Sequence, residues 1–314
     1  MKFIYRKKYA NEKSTHHFIL ITFMNFVCAC TASNLTITFP KSFGNYNVLE
    51  QVGFGISSAV VLVENQKTHK IYAAKIIPNM LNFNELAIQE VAILKTLKHP
   101  NIVKFYDSFT IKDAYKQDLF IIITEYYENG SLSDYIFNPK EDKIEDRIKI
   151  ATSILSAIQY LHSRGIAHCD IKPENILFDS KMNPILIDFG FSIDNVNTTD
   201  SQYRRGTTGY AAPELFQRTT SINLKVADIY SIGIVLDHLF IKKNLFMNKQ
   251  TKINNQDQTS DLTVKKLIKD CLEFDPIQRP TIEEILNNKF FNKTESYIGE
   301  ENDEKKVRSI SNIN

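Results

Sequence analysis

The sequence predicts an α+β fold with two lobes: a small lobe built on an antiparallel sheet with one main helix, and a larger helical lobe. Strand-like patterns dominate from about residue 43 to residue 125, and a helical period dominates beyond residue 130. The length agrees with this, because 314 residues with 43% hydrophobic side chains suit one large two-lobed domain or two medium ones.

The composition excludes several classes of protein. An ample apolar fraction with 24% charged residues excludes disorder for most of the chain. Ten glycines and nine prolines are too few for a collagen-like or low-complexity protein, and four cysteines do not make a disulfide scaffold. The formal net charge of +2 gives no sign of a nucleic-acid-coating protein, so we expect no nucleic-acid partner.

Strands and one helix define the small lobe. Residues 46–52 alternate between apolar and polar, residues 59–63 are apolar and mostly β-branched, and residues 71–77 follow a turn. Two more strand candidates lie at 103–106 and 119–125. A helix between the candidates at 71–77 and 103–106 is indicated by apolar residues at helical spacing before Pro100: Leu86, Ile88, Val91, Ile93, Leu94 and Leu97.

The larger lobe begins with a strong helical pattern. Gly165 is well placed to end this helix. The chain after Phe291 is polar and mixed in charge, which predicts a disordered tail over residues 292–314. The apolar face of the helix consists of Ile148, Ala151, Ile154, Leu155, Ile158 and Leu161.

The first 45 residues differ from the rest. Several basic residues precede an apolar run at residues 18–32, in which twelve of fifteen residues are apolar. The run is shorter than the roughly 18–20 residues that span a bilayer. With its basic start and small residues it resembles a signal peptide. The alternatives are a frayed extension or a misassigned start, with Met24 the later candidate. Membrane association through residues 18–32 is therefore an alternative, not the favoured interpretation.

A glycine-rich turn lies between the first two strand candidates. Gly53, Phe54 and Gly55 are followed by Ser58, and glycines let backbone N–H groups approach phosphate oxygens closely. The turn precedes a strand rather than a helix, which argues against a Rossmann dinucleotide site. The alternative is an ordinary hairpin.

Lys75 lies in an otherwise apolar strand candidate. An unpaired buried charge is costly, so a buried lysine needs a partner. Glu90, on the helix that follows, is the natural candidate. The alternative is a lysine on an edge strand that points into solvent.

The sharpest stretch runs from His168 to Asn175 and carries several polar functional groups between apolar residues. Asp170 is a carboxylate suited to accept a proton from an attacking hydroxyl, and Lys172 can neutralise charge on a transferring phosphoryl group. Thirteen residues after Asn175, a short apolar strand ends in Asp188. Asn175 and Asp188 offer the oxygen ligands that Mg²⁺ prefers.

In order and spacing these motifs resemble those of eukaryotic protein kinases of the serine/threonine type, in particular the calcium/calmodulin-dependent-like and AMP-activated-like kinases. The resemblance covers about residues 45–291. The motifs are the glycine-rich loop, Ala73-Ala74-Lys75, the helix glutamate Glu90, His168-Cys169-Asp170-Ile171-Lys172-Pro173-Glu174-Asn175, Asp188-Phe189-Gly190, Ala211-Ala212-Pro213-Glu214, Asp228-Ile229-Tyr230-Ser231 with Gly233, and the late Arg279.

The resemblance implies a bilobal protein-kinase fold and a role for each motif. Lys75, oriented by Glu90, would hold the α- and β-phosphates of ATP; Asp170 would be the catalytic base and Lys172 would steady the γ-phosphate. Asn175 and Asp188 would bind Mg²⁺. The ATP site would further comprise Val52, Gly53, Phe54, Gly55, Ser58, Val60, Ala73, the gatekeeper Thr124, the hinge residues Glu125 and Tyr127, and Leu177.

The resemblance also implies contacts that join the lobes. Leu94, Phe105, His168 and Phe189 should stack as a hydrophobic spine anchored by Asp228. A structural ion pair should form between Glu214 and Arg279.

Serine/threonine preference is implied by Lys172 and by Thr207, which should bridge to the catalytic loop. Glu174 matches a position that often reads an arginine upstream of the target hydroxyl. His238 stands where such kinases usually carry an acid.

One departure from the family concerns regulation. Cys169 stands where most kinases carry an arginine that receives a phosphorylated activation-loop residue, so regulation by that route is less expected. Arg204 and Arg205 could partly substitute, and Thr198, Thr199 and Ser201 are candidate phosphosites.

Taken together, the sequence predicts an extension at 1–45, a kinase domain at 46–291 and a polar tail at 292–314. Within the domain, the N-lobe is 46–124, the hinge 125–127 and the C-lobe 128–291. The expected activity is transfer of the ATP γ-phosphate to protein serine and threonine hydroxyls, by a monomer in the cytoplasm; the alternative is a pseudokinase scaffold.

Overall fold

A computed structural model describes residues 40–54, 58–78, 83–112, 116, 118–137, 143–194, 206–217, 222–241 and 261–291. Several predictions lie outside these residues: those on Gly55, on the extension with residues 18–32 and Met24, on Thr198, Thr199, Ser201, Arg204 and Arg205, and on the tail at 292–314.

The small lobe is an antiparallel sheet, as the sequence predicts; it has six strands, and the two-residue strand Ser42–Phe43 is not among those predicted. The strands are β1 (Ser42–Phe43), β2 (Tyr46–Phe54), β3 (Ala59–Asn65), β4 (Ile71–Pro78), β5 (Phe105–Lys112) and β6 (Asp118–Glu125). Their spatial order is β1-β2-β3-β4-β6-β5, so only the last two strands depart from chain order.

The two faces of this sheet bury different side chains because successive residues of a strand point to opposite faces. One face forms a closed apolar cluster that includes Val61, Val63, Ala74, Ile121 and Ile123. The other face contributes residues to the larger core that continues into the second lobe. The helix α1 (Phe83–Thr96) contacts β4, β5 and β6 and buries Ala87, Val91 and Leu94 in that larger core.

The larger lobe is built from helices. The longest helix described, α3 (Ile144–Ser163), buries a stripe of apolar residues against the rest of the lobe, including Ile154, Leu155, Ile158 and Leu161. It ends where the sequence predicts: Gly165 has φ +79° and the Ile166 N–H returns to the Leu161 carbonyl at 3.0 Å. The helices are α2 (Leu132–Phe137), α3 (Ile144–Ser163), α4 (Leu224–Phe240), α5 (Leu262–Cys271) and α6 (Ile282–Leu286).

A small hairpin links the helical lobe to the cleft. It consists of β7 (Ile176–Phe178) and β8 (Pro184–Leu186), whose backbones pair in antiparallel register. Three short 3₁₀ turns, Pro173–Asn175, Pro213–Phe216 and Pro276–Gln278, each begin with proline, which has no backbone N–H to leave unpaired there.

The structure corrects two sequence interpretations. The helical period places Ile88 on the apolar face of the first helix, yet this residue is 59% exposed. The strand predicted at 103–106 begins at Phe105 and continues to Lys112, because its apolar signal is shared with the buried loop residues Ile102 and Val103.

Candidate active site

Lys75 is positioned by the register of the sheet. It lies opposite Val60 of β3 and Ile122 of β6, so its strand has neighbours on both sides. This excludes the alternative of a lysine on an edge strand. Its ammonium group lies 2.9 and 2.8 Å from the two carboxylate oxygens of Glu90 and 2.7 Å from Oδ1 of Asp188. The predicted pairing of Lys75 with Glu90 is present.

Lys75 attracts both carboxylates, which repel each other: burial and Asp188 raise the pKa of Glu90, and Lys75 acts to lower it. Burial alone would lower the pKa of Lys75, but the carboxylates of Glu90 and Asp188 outweigh it and raise that pKa above its ordinary value. Burial would raise the pKa of Asp188, but the Lys75 ammonium group holds it at about 2. Lys75 and Asp188 are therefore charged at neutral pH, and one ammonium group faces two acidic side chains.

The hairpin of β7 and β8 brings Asn175 and Asp188 to one end of a short ladder. The Ile187 N–H donates to the Asn175 carbonyl at 2.9 Å, directly beside Asp188. The Asn175 side-chain amide nitrogen donates to the Asp170 carbonyl and to Asp170 Oδ2, both at 2.9 Å. Its amide oxygen is thus the group left to ligate a metal.

Gly190 lies directly against the charged cluster. A Cβ atom at this position would lie 3.2 Å from the Lys75 ammonium nitrogen and 3.3 Å from carboxylate oxygens of both Asp188 and Glu90. A side chain would therefore crowd the charged cluster.

Asp170 is almost fully buried and its carboxylate is bound on both oxygens. The Thr207 hydroxyl donates to Oδ1 at 2.6 Å, while Lys172 donates to Oδ2 at 2.7 Å. Lys172 also donates to the Thr207 hydroxyl oxygen at 2.7 Å. This is the bridge from Thr207 to the catalytic loop that the resemblance implies.

Asp228 supports this loop from below. It is 1% exposed and accepts hydrogen bonds from the His168 and Cys169 N–H groups at 2.8 and 2.9 Å. The His162 ring nitrogen Nε2 lies 2.9 Å from the same carboxylate. The sequence gives no signal for the part played by His162, since it is one polar residue at the end of a long helix.

His168 is held as a neutral ring. Its Nδ1 accepts the Asp170 N–H at 3.3 Å, so Nε2 carries the proton and donates to the Ile187 carbonyl at 3.1 Å. Burial lowers the pKa of His168 below its ordinary value, which agrees with this tautomer. The ring also contacts Phe189 edge-on at 5.0 Å. Leu94 and Phe189 belong to the larger core, and Phe105 packs against it. The stacking of all four spine residues stays a prediction.

The sheet places several predicted ATP-site residues on one face. Ala73 lies opposite Thr124, and Val60 lies opposite Lys75, two residues along the same strand as Ala73. All four side chains therefore point toward the cleft. Leu177 on β7 is half-buried.

The glycine-rich segment begins within β2, where Gly53 lies opposite Val60. Val52 is 48% exposed. Phe54 is the last residue of β2, and Ser58 directly precedes β3. Gly55 lies outside the described residues. The chain leaves β6 at Glu125 and continues through Tyr127 without regular structure.

A concave surface beside the catalytic loop brings together Glu174, Tyr210 and His238 with the apolar Phe137. The Tyr210 and His238 rings meet edge-on at 5.8 Å. Burial, with a smaller effect from the Glu174 carboxylate, raises the pKa of Tyr210 to about 12.

Cys169 is buried among apolar groups rather than solvated. It has φ +65° and shares a cluster with Ala167, Ile193, Ala212 and Leu215. The side chain that replaces the family's arginine thus packs against the segment that leads into Glu214.

Within the described parts of the chain, no group of three or more His, Cys, Asp or Glu side chains could hold a metal alone. An amide oxygen and one carboxylate still suit Mg²⁺, which completes its coordination with phosphate oxygens and water. Among the helices that the structure describes, none is long and apolar enough to cross a membrane.

Comparison with known families places the chain. Residues 46–291 match the protein kinase domain, which is well over half of the sequence. The chain belongs to the protein kinase family.

Three curated relatives are similar to the chain, and the name of one of them is that of a serine/threonine-protein kinase. The chain is 31% identical over 268 residues to the SNF1-like protein kinase ssp2 of Schizosaccharomyces pombe, covering 80% of this chain and 45% of that protein. It is 31% identical to CBL-interacting serine/threonine-protein kinase 3 of Arabidopsis thaliana, covering 87% and 64%. It is 28% identical to CBL-interacting protein kinase 32 of Oryza sativa subsp. japonica, covering 88% and 65%. The chain therefore spans about half to two thirds of these relatives.

Proposed function

We propose that the protein is a serine/threonine protein kinase that transfers the γ-phosphoryl group of ATP to serine and threonine hydroxyls of proteins. One observation carries the proposal: the buried Asp170 carboxylate is held by Lys172, Thr207 and Asn175 at 2.6–2.9 Å. A pseudokinase scaffold has no need of this arrangement. The names of two relatives, serine/threonine-protein kinase and SNF1-like protein kinase, agree with the proposal.

The chemistry needs few groups. The substrate hydroxyl oxygen forms a bond to the γ-phosphorus, the bond to the bridging oxygen breaks, and ADP leaves with that oxygen. The hydroxyl proton passes to Asp170. Lys172 offsets negative charge on the transferring group, while Lys75, oriented by Glu90, holds the other phosphates. Mg²⁺, held by Asn175 and Asp188, would supply neutralisation of phosphate charge when bound.

The remaining assignments are part of the same proposal. Adenine would lie between the cleft face of β3 and β4 and Leu177, against the backbone of Glu125 and Tyr127, with Thr124 as the gatekeeper. Val52, Gly53, Phe54, Gly55 and Ser58 would cover the phosphates. The kinase domain would comprise residues 46–291, divided at the hinge 125–127, between an extension and a polar tail. The protein would act as a monomer in the cytoplasm, where ATP is available.

The test compares the full chain with its Asp170→Asn variant, using Mg-ATP and a mixed peptide library. We expect the variant to lose roughly 10²–10⁴-fold in rate, since that is the usual contribution of a positioned general base. Phosphoamino-acid analysis should show phosphoserine and phosphothreonine. If both proteins transfer phosphate equally, or neither does, the scaffold alternative replaces the enzyme.

A further inference from the structure

Three side chains at the ends of neighbouring strands meet behind the hinge. Lys70 directly precedes β4, Tyr106 lies on β5, and Glu125 is the last residue of β6. The Lys70 ammonium nitrogen lies 2.8 Å from Glu125 Oε1 and 3.2 Å from the Tyr106 hydroxyl oxygen. The Tyr106 hydroxyl donates to the other carboxylate oxygen of Glu125. We call these three residues the hinge clamp.

Aromatic rings hold the clamp from the sides. The Lys70 ammonium group lies over the rings of Tyr72 and Tyr106, at 5.4 and 5.2 Å from their centroids. These two rings contact each other edge-on at 4.7 Å, and the Lys104 ammonium group covers Tyr106 at 4.8 Å. The lysine is therefore fixed by cation–π contacts as well as by its acidic partner.

The carboxylate is ionised and committed to the clamp. Partial burial acts to raise the pKa of Glu125, but hydrogen bonds from Lys70 and Tyr106 outweigh it and hold that pKa below its ordinary value. Hydrogen bonds with Glu125 and Tyr106 raise the pKa of Lys70 above its ordinary value. The interaction is thus a charge-assisted network rather than a lone surface ion pair.

The clamp lies where regular structure ends. The pairing of β4 with β6 reaches its last residue at Tyr72 and Glu125, and the Glu125 N–H donates to the Lys104 carbonyl at 2.9 Å. From residue 126 the chain is irregular until α2. Burial is the main cause of a raised pKa of Tyr127, about 12, and a hydrogen bond with the Lys104 main chain opposes it. Glu125 is thus both the first residue of the hinge and the last residue held in the sheet.

We propose that the hinge clamp positions the adenine-binding backbone and so sets the affinity for nucleotide. The inference rests on the proposed function, because it takes the hinge as the adenine site. Lys70, Tyr106 and the Glu125 side chain are positioning groups: they act from behind, through the Glu125 main chain. Loosening the clamp should weaken nucleotide binding and leave the phosphoryl-transfer step nearly unchanged.

The test uses conservative variants of the full chain: Glu125→Gln, Lys70→Met and Tyr106→Phe. The last two keep the stacked hydrocarbon and ring, so they are the milder changes. We expect Glu125→Gln to raise the KM for ATP and the Kd for ADP about three- to tenfold, the size of effect expected from loss of one ordinary hydrogen bond, because solvent weakens this partly exposed pair. kcat and the KM for peptide should change less than about twofold. Lys70→Met combined with Glu125→Gln should be no worse than Glu125→Gln alone, because both remove one interaction.

A matched control lies at the other end of the same hairpin. Lys112 and Asp118 form an exposed cross-strand ion pair at 2.9 Å, far along β5 and β6 from the hinge. Lys112→Met should leave ATP and ADP affinity unchanged. Wild-type nucleotide affinity in all three clamp variants would overturn the inference, as would an equal loss in kcat, peptide KM and thermal stability.

ADP binding by calorimetry separates the two proposals. If the wild-type protein transfers no phosphate but the clamp variants still weaken ADP binding, the clamp stands and the kinase activity fails. If transfer is normal and ADP binding is insensitive to the clamp, the reverse holds.

Discussion

Thr207 is the residue that joins the base to the lysine of the catalytic loop. Its hydroxyl donates to Asp170 and accepts from Lys172. We predict that Thr207→Val lowers kcat by roughly ten- to a hundredfold, because a hydrogen bond to a charged group is worth ~1.5–3 kcal/mol. Thr207→Ser keeps the hydroxyl and should retain most activity. Steady-state kinetics decide the matter, and equal kcat values for the valine variant and wild type would contradict it.

Single residues show how far sequence reasoning reaches. Lys75 could be paired with Glu90 in advance, because an apolar strand cannot bury a lone ammonium group. Lys172 and Asn175 follow from short spacing along one loop, whereas Thr207, 37 residues from Asp170, is implied only by the resemblance. The hinge clamp could not be foreseen, since Lys70, Tyr106 and Glu125 are ordinary residues that only the strand register brings together.

At the scale of elements, the loop between α1 and β5 is tied to α3 through His99. Its Nδ1 accepts the Asn101 N–H at 3.1 Å, and its ring lies 5.2 Å from that of Tyr160. The Tyr160 hydroxyl in turn accepts the Lys98 N–H at 3.0 Å. Burial lowers the pKa of His99 below its ordinary value of 6.5, so the folded state prefers the neutral ring.

This preference makes the free energy of unfolding depend on pH in a direction that can be measured. Above about pH 6.5 the imidazole is neutral in both states and its contribution to stability is complete. As the pH falls below 6.5, the unfolded chain takes up a proton before the folded one does, and the contribution is lost. We predict that the stability difference between wild type and His99→Asn shrinks between pH 7.5 and pH 5.5, measured by urea unfolding.

The exposed His69 provides a control for the substitution itself, since its side chain is 76% exposed and its positive φ of 54° suits asparagine. His69→Asn should change the free energy of unfolding little at pH 7.5. A His99→Asn difference that stays constant with pH would refute the assignment.

Elements differ in how well their sequences define them. β2, β3, β4 and β6 are predictable, because alternation and β-branching persist over seven or more residues. The three-residue β7 is not, because it is too short to show a period. Ile88 fails for another reason: a helical period shows that a face is apolar but not that every member is covered.

At the scale of the whole molecule, one ion pair ties distant parts of the larger lobe together. Arg279 binds both carboxylate oxygens of Glu214 at 2.7 and 2.8 Å, and its side chain is fully buried. It also donates to the carbonyls of Val226 and Glu273 and lies over the Tyr230 ring. Removing one partner therefore leaves the other as a buried charge without its ion-pair partner.

We predict that Arg279→Leu lowers the free energy of unfolding by about 3–5 kcal/mol, the usual cost of breaking a buried pair. Adding Glu214→Leu should restore part of the loss, because no unpaired charge then remains. Lys112→Met, at an exposed pair, should cost under ~1 kcal/mol. Denaturant unfolding measures all three, and a loss for Arg279→Leu no greater than that for Lys112→Met would contradict the prediction.

The topology of the small lobe bears on how the protein is made. All six strands and α1 come from residues 42–125, so this sheet can pair before any of the larger lobe is synthesised. One face of the sheet, with Ile77 and Ile122, and Leu94 of α1 belong to a core that also includes residues of the larger lobe such as Phe189. At about 5–20 residues per second, the roughly 65 intervening residues take about 3–13 seconds to make. During that interval we expect the nascent chain to expose an apolar surface to which ribosome-associated chaperones can bind.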